Sequence, residues 1–142
     1  MSGQELTKAL LNAASRTNLG RVRELLARGA DPNAPDESGR TALPLAVRYA
    51  YNNEADAILI AEALLAAGAD INASPGDCLS PLRYAAIHGY KHLLPFLITK
   101  GADVNDRDPN GQTVITMLET TPSLKHRSRR IIKIIEQAGG AR

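Results

Sequence analysis

His88 and His92 stand four residues apart, an interval at which two imidazoles on one helix face can hold a metal ion. Gly89 lies between them and is expected to end one helix before the next begins, so the pair does not share a face. His126 has no cysteine or carboxylate at ligand spacing, and Cys78 is the only thiol, with neither a disulfide partner nor a neighbouring base. No glycine-rich phosphate loop and no nucleophile–base arrangement can be picked out. The expectation is a non-enzyme with no catalytic residue, no metal and no cofactor. What the chain does hold is interface chemistry. Arg40, Arg48, Tyr49 and Tyr51 bring together the two residue types that most often dominate binding energy between proteins.

The elements that must carry these residues are announced by a repeated phrase. Gly-Ala-Asp occurs at 29–31, 68–70 and 101–103, and a degraded copy, Gly139-Gly140-Ala141, comes last. The spacings of 39, 33 and 38 residues read as a 33-residue unit lengthened twice, which implies a repeat array. Before each phrase runs an i, i+3, i+4 stripe: Val22, Leu25, Leu26; Ile60, Leu64, Leu65; Leu93, Leu94, Leu97, Ile98; Ile131, Ile132, Ile134, Ile135. Gly29, Gly68, Gly101 and Gly139 then suit the left-handed residue that closes a helix. A shorter helix lies further upstream, opened by Thr41, Ser80 or Thr113 as hydroxyl caps, with Pro81 at a first helical position. The first unit has Lys8-Ala9-Leu10 in that slot and no cap. Each short helix is expected to bury one apolar residue and a partner a turn later: Leu10 with Ala13, Leu43 with Ala46, Leu82 with Ala85, Ile115 with Leu118. Polar, turn-rich stretches at 35–39, 74–78 and 106–111 separate the units as projecting tips.

Composition agrees. At 142 residues, 44% hydrophobic and 23% charged, the chain falls in the range of folded soluble proteins, and one Phe and no Trp leave an aliphatic core. There is no secretory-type leader or long apolar run, so a cytoplasmic location is expected.

The phrases Asp36…Gly39-Arg40-Thr41-Ala42-Leu43, Ser80-Pro81-Leu82 with Ala85-Ala86 and Gly89, and Gly101-Ala102-Asp103-Val104-Asn105 resemble the ankyrin repeat over nearly the whole chain. The resemblance implies an all-α ankyrin-repeat solenoid, a single domain over 1–142. Its four helix-turn-helix units, 3–35, 36–74, 75–107 and 108–142, would carry projecting β-hairpin-like loops. It also implies a concave face that binds a protein partner. The family's contact positions fall here on Arg16; on Glu37, Arg40, Arg48 and Tyr49 with neighbouring Tyr51; and on Asp77 and His88. Arg83 and Tyr84 extend this line. Arg83 takes the place of the family's usual His, so it either supports the next tip or meets the partner; Tyr84 either packs between helices or meets the partner.

Four departures from the repeat mark this chain. Six extra residues around 51–56 lie between the two helices of the second unit, as a silent loop or a contact element, with Asn53 or Asp56 capping the next helix. Pro95 inside the second helix of the third unit is expected to bend it. Cys78 stands where a tip usually has glycine. The last unit inserts 122–127 and is basic: from Thr121 to Arg142 there are six Lys/Arg against one Glu, net +5, while the rest of the chain carries −3. Lys125, Arg127, Arg129, Arg130 and Lys133 form that patch, which is a solvated end, a seat for an acidic protein surface, or a nucleic-acid contact.

The expected function is protein–protein interaction as an adaptor or inhibitor, with the chain a monomer by itself. One alternative is an inhibitor or immunity-type protein that occludes an enzyme or a toxin. The chain resembles four-repeat cyclin-dependent kinase inhibitors in size and in Asp31-Pro32-Asn33-Ala34-Pro35, although the second unit is lengthened here and shortened there. The other alternative is a nucleic-acid-associated regulator working through the basic patch.

Overall fold

The computed structural model describes residues 1–74, 79–126 and 128–142. Among these residues all regular structure is helical, and no helix is long and apolar enough to cross a membrane. The chain divides into two compact units, Met1–Pro81 and Leu82–Arg142. The first contains α1 (Gly3–Ser15), α2 (Leu19–Ala27), α3 (Ala42–Arg48) and α4 (Glu54–Ala66), with a 3-10 turn, Ala50–Asn52, before α4. The second contains α5 (Pro81–His88, its first residue on the division), α6 (Leu93–Thr99), α7 (Val114–Thr120), the short α8 (Pro122–Lys125) and α9 (Arg129–Gln137).

In the first unit α1 packs against α2 and α3, and α4 against α2 and α3. The core is the aliphatic one expected: Leu10, Ala13, Leu43 and Ala46 are buried, as are Val22, Leu25, Ile60 and Leu64. In the second unit Leu82, Ala85, Ile115 and Leu118 are buried, with Leu93, Leu94, Leu97, Ile131 and Ile135. The alanines of the short helices leave room for the neighbouring backbone to come close, while the leucines and isoleucines fill the space between pairs.

The repeated phrase closes four helices with the same geometry. Gly29, Gly68, Gly101 and Gly139 have φ of 92°, 100°, 98° and 95°. In each the glycine N–H donates to the second carbonyl back from the helix end and the next N–H to the third; Gly29 N bonds Leu26 O at 3.0 Å and Ala30 N bonds Leu25 O at 3.0 Å. The adjoining Asp-x-Asn has two roles. Asp31 and Asp103 accept the N–H of Asn33 and Asn105, each at 2.9 Å. The side-chain amides then bind the next helix pair. Asn33 donates to Gly68 O at 2.8 Å and accepts from Asp70 N at 2.8 Å; Asn105 donates to Gly139 O at 3.1 Å and accepts from Ala141 N at 2.8 Å.

Three local expectations need correction. First, α1 starts well before Lys8 and is capped: Ser2 Oγ accepts Glu5 N–H at 3.2 Å and donates to Glu5 Oε1 at 3.2 Å. Second, Thr113 caps α7 through Thr116 N at 3.3 Å, but Thr41 does not cap α3, and its buried Oγ1 has no hydrogen-bond partner among the described residues. Third, Pro95 is the third residue of α6, in the first turn, where proline is tolerated; Leu94 N still bonds Tyr90 O at 3.1 Å and Phe96 N bonds His92 O at 3.3 Å. The tips are hairpin-like as expected, without a strand among the described residues. Two of them close on an aspartate: Asp36 N bonds Arg40 O at 2.9 Å, and Asp36 Oδ1 accepts Ser38 N at 2.8 Å and Arg40 N at 2.9 Å. Asp108 repeats this arrangement with Asn110 and Gln112. Cys78 lies outside the described residues.

Candidate partner-binding surface

The extra residues of the second pair do not lengthen its first helix. They form the 3-10 turn and the start of α4, which Asn53 caps by accepting Asp56 N–H at 3.1 Å. The turn brings Tyr51 back beside Tyr49, with ring centroids 6.1 Å apart and planes tilted by 54°. The Arg48 guanidinium lies 5.4 Å from the Tyr49 ring centre, a cation–π contact that orders the arginine without neutralising it. Tyr51 is 66% exposed, the most exposed large hydrophobic residue among those described. Thr17, in the turn joining α1 and α2, touches the same corner through Oγ1, 3.4 Å from Tyr49 O. Exposed Arg16, next to Thr17, therefore stands beside this group.

From that corner a groove of about 320 Å³ runs to the tip at 36–40. One wall is α1, through Lys8, Leu11, Asn12 and Ser15; the other is α3 with the residue that follows it, through Leu45 and Tyr49; and Asp36, Glu37, Ser38 and Arg40 close the far end. Lys8, Asn12 and Ser15 follow at intervals of four and three, the spacing of one helix face, so the α1 wall was readable in the sequence although only Arg16, just past its end, was expected.

Arg40 is at the groove but committed: its Nε lies 2.8 Å from Asp36 Oδ2. Partial burial pushes the Asp36 carboxyl up, but the Arg40 and Ser38 N–H groups and the Arg40 guanidinium outweigh it and hold the carboxyl below its ordinary value. Glu37, by contrast, is exposed and has no ion-pair partner among the described residues.

Two expected contact residues are interior. Arg83 is 3% exposed. It donates to Asp106 O at 3.0 Å and Gln112 O at 2.8 Å, with Asp106 Oδ2 at 3.6 Å and Asp108 Oδ2 at 3.9 Å. The fork of its guanidinium thus supports the 106–112 tip, and it is not available to a partner. Tyr84 is buried as well. His88 is exposed and stacks on Tyr90, centroids 5.3 Å apart. Asp77 and Arg127 lie outside the described residues. Lys125, Arg129, Arg130 and Lys133 are exposed on α8 and α9 with no carboxylate partner among the described residues. No three His, Cys, Asp or Glu side chains gather as metal ligands among those residues.

Comparison with known proteins points to one family. A model of ankyrin repeats in many copies matches residues 56–98. The chain is 33% identical to human cyclin-dependent kinase 4 inhibitor B over 119 residues, 83% of this chain and 81% of that protein. It is 32% identical to human cyclin-dependent kinase inhibitor 2A over 92% of this chain and 77% of the relative. It is also 32% identical to the putative ankyrin repeat protein YahD of Escherichia coli over 74% of this chain and 49% of the relative.

Proposed function

Because the chain belongs to the ankyrin-repeat family, we propose that it is a non-catalytic module that binds a protein partner along the groove of the first unit and acts as an adaptor or inhibitor. The observation that carries this reading is the Arg48–Tyr49–Tyr51 group at the mouth of that groove: two aromatic rings and a guanidinium, ordered against one another and facing solvent. Rings of this kind supply contact area at little conformational cost, and an arginine ordered before binding has less freedom to lose. The inhibitory form of the reading is favoured by the names of two human relatives, both inhibitors of cyclin-dependent kinases. Acting by occupation of a partner requires no chemistry from the module itself.

The test is affinity capture from cells, followed by reconstitution with the purified partner. Replacing Arg48 and Tyr49 with Ala is expected to weaken that reconstituted complex by about tenfold or more, as for residues at the centre of an interface. Equal affinity of both forms would remove the groove as the site. Assaying the partner's own activity with and without the module separates an inhibitor from an adaptor.

A further inference from the structure

Resting on that reading, we propose that the groove of the first unit takes an extended, acidic segment of the partner, with one or two of its carboxylates seated between Arg16 and Arg48. The argument is an inventory of charges in one place. In the first unit Arg21 and Arg28 are paired with Glu24, and Arg40 with Asp36; Arg23 on α2 is also exposed without a carboxylate partner among the described residues, but it does not line the groove. Arg16 and Arg48 are exposed and have no carboxylate partner among the described residues, and the Thr17–Tyr49 contact puts their neighbours side by side at the same end of the groove. Cations left unpaired beside ordered aromatic rings favour an anion there, since the acids of the groove, Asp36 and Glu37, close its far end.

The charges along the groove decide between a carboxylate-bearing peptide and a nucleic acid. Lys8, Asp36, Glu37 and Arg40 line its remaining length and cancel in sign. A polyphosphate chain needs positive charge along its whole track and would meet Glu37 at the tip. A peptide needs it only where its acidic side chains fall, and the apolar floor of Leu11 and Leu45 suits an aliphatic side chain between them. The exposed cations of α8 and α9 lie in the other unit.

The test uses labelled synthetic probes with the full chain: a peptide alternating Glu with Leu, the same peptide with Lys for Glu, and a single-stranded oligouridine. By fluorescence anisotropy at low salt the Glu–Leu peptide is expected to bind and to weaken as salt rises. Arg16→Glu with Arg48→Glu should lower its affinity by about tenfold or more, while Lys125→Glu with Arg129→Glu and Arg130→Glu should leave it within about twofold. Amide shifts in NMR spectra should cluster at 8–16 and 36–51. The proposal is overturned if the Glu–Leu peptide does not bind, if the Lys peptide or the oligouridine binds as well or better, or if the α8–α9 variant is the one that loses binding. A partner lost on Tyr49→Ala but indifferent to the Arg16–Arg48 double change would leave the protein-binding reading standing and remove the acidic anchor alone.

Discussion

Thr17 sits at φ 56°, the only residue other than glycine in the left-handed region among the described residues. Its place is the closing turn of α1, where Thr17 N bonds Ala14 O at 3.2 Å and Asn18 N bonds Ala13 O at 2.9 Å. The third pair uses Gly89 at φ 67° for the same turn after α5. A β-branched residue there is strained by about 1–2 kcal/mol. Thr17→Gly is therefore expected to raise stability by about 0.5–1 kcal/mol, after subtraction of its long bond to Tyr49 O, and Gly89→Thr to lower it by a similar amount. Urea unfolding of both variants checks this, and a Thr17→Gly protein no more stable than the parent would show the turn unstrained. Asp36 supplies a second test at this scale. Its folded-state carboxyl titrates below the ordinary value of 3.8, so its contribution is complete above that value and is lost as pH falls through the lower, folded one. Acid titration of the urea midpoint should show a shallower acid limb in Asp36→Asn than in the parent, with lower stability than the parent at neutral pH.

The helices show which features of an element can be read from a sequence. The glycine closures, the buried positions and the polar, turn-rich tips were legible because each depends on contacts within a few residues and recurs in register, and four pairs closed on glycine leave little freedom in assignment. Where a helix starts was less legible: α1, expected to open near Lys8 without a cap, starts earlier and is capped by Ser2, and of the two residues offered for α4 it is Asn53 that caps it. Pro95 reads as a helix breaker only if α6 is taken to begin a turn earlier than Leu93. Long-range packing was legible least. The resemblance offered Arg83 as a support for the next tip or as a partner contact, but nothing near it in sequence chose between the two; it ends under a tip more than twenty positions away, holding Asp106 O and Gln112 O. That role predicts that Arg83→Lys, which keeps the charge and loses the fork, destabilises by about 1–3 kcal/mol. Thermal or urea unfolding measures it, and a neutral Lys substitution would mean that charge alone suffices. Surface binding by the first unit should be unchanged in that variant.

At the scale of the whole molecule, a repeat array with two compact units distributes stability among neighbouring pairs instead of pooling it in one core. Ile135 is completely buried on α9. Ile135→Ala should cost about 2–4 kcal/mol, and hydrogen exchange should show lost protection concentrated in 82–142, with α1 to α3 keeping theirs. Equal loss in both units would establish a single cooperative unfolding unit. The groove and its aromatic corner belong to 1–81, so such a variant is also a means of separating binding from the stability of the last pair.

The amides of Asn33 and Asn105 grip only main-chain atoms of the succeeding pair, a glycine carbonyl and the N–H two residues further on. The coupling is thus blind to side-chain identity in the pair it receives, apart from the glycine that sets the backbone. Helix pairs of quite different surface are then interchangeable parts, and a pair grafted after Asn33 should dock so long as it ends in the same glycine turn. Recognition of new partners can in this way be rewritten on the outside of the chain without redrawing its joints.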